Sequence, residues 1–217
     1  MSDVSLQLVR EFFELNVFRV LTNWRQEPWR GAASDHSPHL LVENSRPRTG
    51  GDLPFIIPAQ WIGAVERAVV HVRAWHADRF YPSVIESSPV LSQFETSEAF
   101  DIASHVFSNQ PFVTILVLSE LPLAFEPRTR SAALLQEAGI DHVIEFPSLL
   151  QDIIDRISIN ASYAASPALQ ILRLLKRYKF IRHQQLEFLF PAEPPIPDKP
   201  LLLETDDSTS SEESTDF

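Results

Sequence analysis

The chain contains no cysteine among its 217 residues, which excludes a disulfide framework and any thiolate metal site and leaves the fold to be held by packing. That absence fits a reducing cytoplasmic setting. Only five glycines are present, with no Walker or dinucleotide-binding loop, so a nucleotide-cradling ATPase or dehydrogenase is not expected. No GxSxG nucleophile turn occurs, and Ser-His-Asp catalysis finds no support. No window approaches the roughly 20 apolar residues that a membrane-spanning helix needs. The start, MSDVSLQLVREFFEL, carries acids inside its apolar pattern, which argues against a signal peptide. A soluble protein with no membrane partner is expected.

What is present is a 44% apolar chain, long enough for one domain with a full core. Its formal net charge is -11, unevenly spread. Residues 192–217 hold eight acids against Lys199 and so account for -7, leaving -4 to residues 1–191. A nearly balanced body leaves nucleic-acid binding open where the whole-chain charge argues against it. From Pro191 the run PAEPPIPDKP and then DDSTSSEESTDF read as a disordered acidic Pro/Ser-rich tail over 191–217. Such a tail can be a phosphorylation target, a partner-binding peptide or a mimic of nucleic-acid charge, and solubilising is the default role.

Within the body, Val4, Leu6, Leu8, Val9, Phe12, Phe13 and Leu15 define a broad helical face over 4–16, followed by a β-branched and aromatic run, VFRVLTNW, over 17–24. HLLVEN (39–44) reads as a second strand. The turn-rich SRPRTGGDLP (45–54) separates it from AVVHVRAW (68–75), a central strand. Ser88-Pro89 opens a helix carrying Val90, Leu91, Phe94, Phe100, Ala103 and Phe107 and ending near Asn109. FVTILVL (112–118) has the continuous apolar character of a strand covered on both faces, and TRSAALLQEAG (129–139) follows as a helix closed by Gly139. DHVIEF (141–146) and PSLLQDIIDRI (147–157) repeat that step, so these strands are expected to be parallel neighbours. A last helix opens at Ser166-Pro167, with Leu169, Leu172, Leu175 and Tyr178 toward the body and Arg173, Lys176, Arg177 and Lys179 on the polar face or complementing the helix dipole.

The order helix, strand, strand, strand, helix, strand, helix, strand, helix over residues 4–157 resembles the core of the PD-(D/E)XK nuclease superfamily. The segment from Val69 to Ser83, including WHADRFYPS, and the run AGIDHVIEFPSLLQDIID are similar to uncharacterised bacterial members of it. The resemblance implies an α/β, restriction-endonuclease-like mixed sheet flanked by helices over 1–160. A C-terminal helical extension over 161–190 and the tail would follow. In that family a Pro-Asp at the start of the second strand and a Glu/Asp-x-Lys on the third hold a divalent metal that activates water. Here Pro38-His39 and His71-Val72-Arg73 stand at those positions, so both carboxylates and the lysine are replaced.

Alternation sets His71 and Arg73 on one face of the strand. Imidazoles suit Zn²⁺ better than Mg²⁺. A divalent ion about 4 Å from the permanent Arg73 charge would be repelled by about 8 kcal/mol at an effective dielectric near 20. A metal site, and with it a divalent cofactor and an active nuclease, would require relocated ligands, the candidates being Glu43 on the His39 face and Glu11 or Glu14 on the first helix. His39 and His71 can equally be ordinary hydrogen-bonded strand residues. His71 and His76, five apart, fall on opposite faces and make no metal pair. Basic residues gather at Arg25 and Arg30, Arg46 and Arg48, Arg73 and Arg79, and Arg173 to Arg182, interleaved with Trp24, Trp29, Trp61 and Trp75. If the first three groups converge near the third strand, Arg46, Arg48, Arg73 and Arg79 would contact phosphates. The expectation is a catalytically degenerate nuclease-like protein that binds nucleic acid or a protein partner through the former cleft. Its alternatives are an active metal-dependent nuclease, or an interaction protein docking through the tail or last helix.

Overall fold

The computed structural model describes residues 3–22, 39–48, 51–74, 76, 78–88 and 98–181. Helix α1 (Asp3–Leu15) forms because Leu6, Val9, Phe12 and Phe13 recur at helical spacing and are all buried. Val4, expected on that face, is exposed. The helix stops where Asn16 donates its side-chain amide to the Phe12 carbonyl and Val17 turns the chain with φ at 68°. Strand β1 (Phe18–Thr22) therefore begins one residue later than the β-branched run suggests, since Val17 is the turn itself. Residues 23 and 24 of that run lie outside the described residues.

Strands β2 (His39–Asn44) and β3 (Arg67–Arg73) continue an antiparallel meander, with β1 paired to β2 and β2 to β3. Strand β4 (Val113–Leu118) lies parallel to β3, and β5 (His142–Glu145) parallel to β4. Among the described residues the five strands form one mixed sheet in chain order, flanked by helices, so the protein is an α/β protein. The outer edge of β5 is covered by the excursion between β2 and β3. There the Ile57 N–H donates to the Val143 carbonyl at 2.8 Å and the Val143 N–H to Phe55 at 2.7 Å.

Helix α2 (Pro82–Glu86) is a short element in a stretch whose sequence had suggested no helix. Helix α3 is described over Glu98–Val106, and Ser108 and Asn109 follow it with positive φ, as the expected end near Asn109 requires. Pro89, Val90, Leu91 and Phe94 lie outside the described residues. Helix α4 (Phe125–Glu137) starts four residues before the expected position and is closed by Gly139, whose φ of 84° favours a residue without a Cβ. Helix α5 (Phe146–Arg156) buries Phe146, Leu149 and Ile153.

Helix α6 (Pro167–Arg177) is capped by Ser166, whose hydroxyl accepts the Leu169 N–H. It packs on α1 and α5 through Leu169 and Leu172. Tyr178 is 66% exposed rather than turned to the body, because the helix ends before it. Lys176 does not serve its own helix end. Its ammonium donates to the carbonyls of Ile154 (2.6 Å), Asp155 (3.2 Å) and Ile157 (2.9 Å), closing the C-terminus of α5. No helix among the described residues is long and apolar enough to cross a membrane. The expected tail over 191–217 lies outside the described residues, beyond the compact unit Met1–Arg182.

The strand pattern divides the core. Leu40, Val42, Ala68, Val70, Val72, Ile115, Val117 and Ile144 point to one face, against α1, α5 and α6. The other face carries two smaller clusters, Leu41 and Val69 with Ala103 and Phe107 of the α3 region, and Leu116, Leu118 and Val143 with Leu135 of α4.

Two outcomes follow for stability. A β-branched residue with positive φ stores strain, so Val17→Asn raises the unfolding free energy by about 0.5–1 kcal/mol in denaturant titration. Lys176→Met keeps the aliphatic stem but strips three carbonyls of their donor, and lowers it by about 1–2 kcal/mol in the same measurement.

Candidate functional site

The antiparallel register sets His39 directly opposite His71. Their ring centroids are 6.0 Å apart and the planes are tilted by 45°. Arg73, two residues further along β3, shares the same face. The three positions that the family resemblance singles out thus converge at one end of the β2–β3 pair. They do so in the interior, with relative exposures of 4% for His39, 5% for His71 and 5% for Arg73.

Burial decides their protonation chemistry. His71 is pushed down to about 3, first by desolvation, then by His39 and by the positive charge of Arg73. At neutral pH it is an uncharged imidazole in a sheet covered on both sides. No carboxylate faces it from the registered position on β2 or from β4, where Leu116 is its partner. Such a set can donate and accept hydrogen bonds and fix the strand pair, but it offers no hard oxygen ligand for Mg²⁺.

The acids proposed as relocated ligands are elsewhere. Glu43 shares the His39 face but lies four residues along β2, a distance of about 13 Å. It is registered with Arg19 and Arg67, and its carboxylate sits 3.6 Å from the Arg19 guanidinium. Glu14 pairs with Arg10 at 2.8 Å, and both Glu11 and Glu14 belong to α1, which packs on the opposite face of the sheet from His39 and His71. Among the described residues no group of three His, Asp or Glu side chains converges.

Among the described residues the arginines do not gather at β3 either. Arg73 is interior, and Arg79 pairs with Glu120 at 2.9 Å beyond the C-terminal ends of β3 and β4. Arg46 and Arg48 follow the C-terminal end of β2, at the opposite end of the strand pair from His39. The strand direction separates them: residues just after β2 and just after β3 lie at opposite ends of an antiparallel pair. Arg25, Arg30, Trp24, Trp29 and Trp75 lie outside the described residues.

Two surface depressions escaped the sequence reading. One, of about 780 Å³, lies beyond the C-terminal ends of β3 and β4 and is lined by His76, Asp78, Arg79, Ser119, Glu120 and Phe146 among others. His76 stands 3.2 Å from the Ser5 hydroxyl and packs edge-on against Phe146, with ring centroids 4.7 Å apart. The Ser119 hydroxyl donates to the Asp78 carbonyl. Polar residues immediately after two parallel strands are the signal that would have located it. The other, of about 450 Å³, lies between Arg48 and the 3-10 turn Ala59–Ala64, and Trp61 lines it.

Comparison of the chain with family models, with curated proteins and with solved structures yields no match.

The depressed His71 value fixes the sign of an acid effect. The folded state holds His71 neutral while the unfolded chain protonates near 6.5, so the full contribution is present above pH 6.5 and is lost as the pH falls toward 3. Denaturant titration is expected to lose up to about 1.4 kcal/mol per pH unit from this group across that window. The His71→Leu variant would show a correspondingly shallower dependence.

Proposed function

We propose that this chain is a divergent PD-(D/E)XK nuclease-like protein whose hydrolytic centre has been replaced by a buried His39, His71 and Arg73 core, and that it acts by binding rather than by cleaving. The observation that carries this reading is the registered pairing of His39 with His71. The two motif-equivalent positions meet as they would in a working site, yet neither supplies a carboxylate and both are removed from water. The order of strands, an antiparallel meander followed by a parallel β4 reached through α3, supports the restriction-endonuclease-like assignment. With the former centre closed, a partner, nucleic acid or protein, is bound on the outer surface rather than in the former cleft.

The interaction-protein alternative is favoured by one separate observation. Ile171, Leu174, Tyr178 and Phe180, on and after α6, are exposed beside Arg177 and Lys179. Large apolar side chains left in water on one helix mark protein contact surfaces.

The test is a salt-controlled binding and cleavage assay on single- and double-stranded DNA and RNA, with Mg²⁺, Mn²⁺ and Zn²⁺ each set against chelator. Binding without metal-dependent cleavage is the expected result. Cleavage that requires metal and is lost in His39→Ala would overturn the degenerate-site reading in favour of an active nuclease. Neither binding nor cleavage would leave the α6 surface as the working interface.

A further inference from the structure

We infer that the groove between Arg48 and the 3-10 turn Ala59–Ala64 takes one nucleotide of a single strand, with the base stacked on Trp61 and the phosphate on Arg48. The inference rests on the binding reading above and deepens it by naming a ligand class and a surface. It moves the contact away from the His39 and His71 end to the other end of the β2–β3 pair.

Trp61 is the reason to look there. It is 53% exposed, although its immediate neighbour Ile62 and nearby Ala59 are buried. The turn that carries it is fixed, with the Trp61 N–H donating to the Pro58 carbonyl at 2.8 Å and the Ala59 N–H to the Ser148 hydroxyl of α5 at 3.1 Å. A large indole held in water on a rigid element is a prepared stacking surface.

Arg48 is equally prepared. Its backbone N–H donates to the Gly63 carbonyl at 2.9 Å, and its side chain lies over Gly63, with Cδ 3.4 Å and Nε 3.5 Å from where a Cβ would stand. The same carbonyl, and that of Val65, accept the Asn44 amide at 2.9 and 3.0 Å. Gly63 thus lets the arginine stem rest against the turn, beside the groove that Arg48 and Trp61 both line. Gln60 and Asp52 on the same walls supply donor and acceptor groups for a base edge.

Size and charge select the ligand. About 450 Å³ accommodates one nucleotide, not a duplex, and a base already stacked on both faces cannot reach an indole at a groove wall. The larger depression near Arg79 is a poorer phosphate site, because its arginine is already paired with Glu120 and Asp78 lines it too, whereas the smaller groove sets one acid, Asp52, against an Arg48 that forms no ion pair among the described residues.

The experiment uses the full chain and fluorescence anisotropy with labelled oligo(dT), oligo(dA) and oligo(rU), a duplex of matched length, and AMP as competitor. Saturable single-strand binding, weaker duplex binding and about a tenfold loss in Trp61→Ala are expected, with Trp61→Phe keeping most of the affinity. Arg48→Ala should weaken binding and lower the salt-dependence slope by about one. Competition by AMP would identify free nucleotide as the source of the ligand, whereas binding confined to the oligonucleotides would identify a polymer, and either supports the groove. Unchanged binding in Trp61→Ala at an unchanged thermal midpoint, or no saturable binding of any single strand or AMP, would overturn it. Metal-dependent cleavage would instead sink the non-catalytic reading and leave the groove standing, so the two failures are separable.

Discussion

After its first residue strand β3 has no water on either face, and most of the molecule follows from that. From Ala68 to Arg73 every side chain is buried, although the run contains an imidazole and a guanidinium. A polar group taken out of water must be hydrogen-bonded, and an ionisable one is driven toward its neutral form unless a partner holds the charge. His71 takes the neutral route. The hydrogen-bonding partners of β3 then dictate the rest: β2 on one side brings His39 opposite His71, and β4 on the other presents only apolar side chains at the same level. The His39, His71 and Arg73 row is thereby an element of the interior, not of a water-filled cleft.

The two sides of the sheet are unequal in a way that assigns their roles. The face toward α1, α5 and α6 is continuous and apolar, and its helices are joined by specific polar contacts. Asn16 donates to Asp152 at 2.9 Å between α1 and α5, while Lys176 closes α5 from α6. The opposite face is divided, with the His39, His71 and Arg73 row on the same side as two smaller clusters. At its margin, Glu145 accepts both guanidinium arms of Arg128 and the Leu121 N–H, which ties the end of β5 to α4 and to the loop after β4. That bidentate contact holds Arg128 even more firmly protonated than usual. The rigid side supplies support, and the exposed depressions occur where strands and turns end.

Much of this architecture was legible in the sequence. The six residues HLLVEN become β2 without a shift, its apolar centre Leu40, Leu41 and Val42 being buried on both faces of the sheet. Gly139 marks the end of α4, and alternation correctly joins His71 to Arg73. What sequence spacing could not supply is register and direction. Nothing in the residues near His39 states that His71 will be its partner. Glu43 satisfies the alternation rule and still lies too far along the strand to help. The described arginine groups fail to converge for the same reason, since Arg48 and Arg79 are carried to opposite ends of an antiparallel pair. Trp61 was visible as one of four tryptophans, but its exposure depends on which side of the turn Ile62 buries.

The His39 and His71 positions also resist metal chemistry. Introducing aspartate at His39 and glutamate at His71 would place two carboxylates in direct cross-strand contact, where like charges cannot both stay ionised. Arg73, already interior on the same face, would neutralise one of them more cheaply than a hydrated metal that must first shed its water. The attacking water would still need a path past a strand whose two faces are both covered. Carboxylates at these positions and an open cleft would therefore have to be gained together, since neither is of use without the other. Access without opening the core exists where the strands end, as in the groove that Trp61 and Arg48 line.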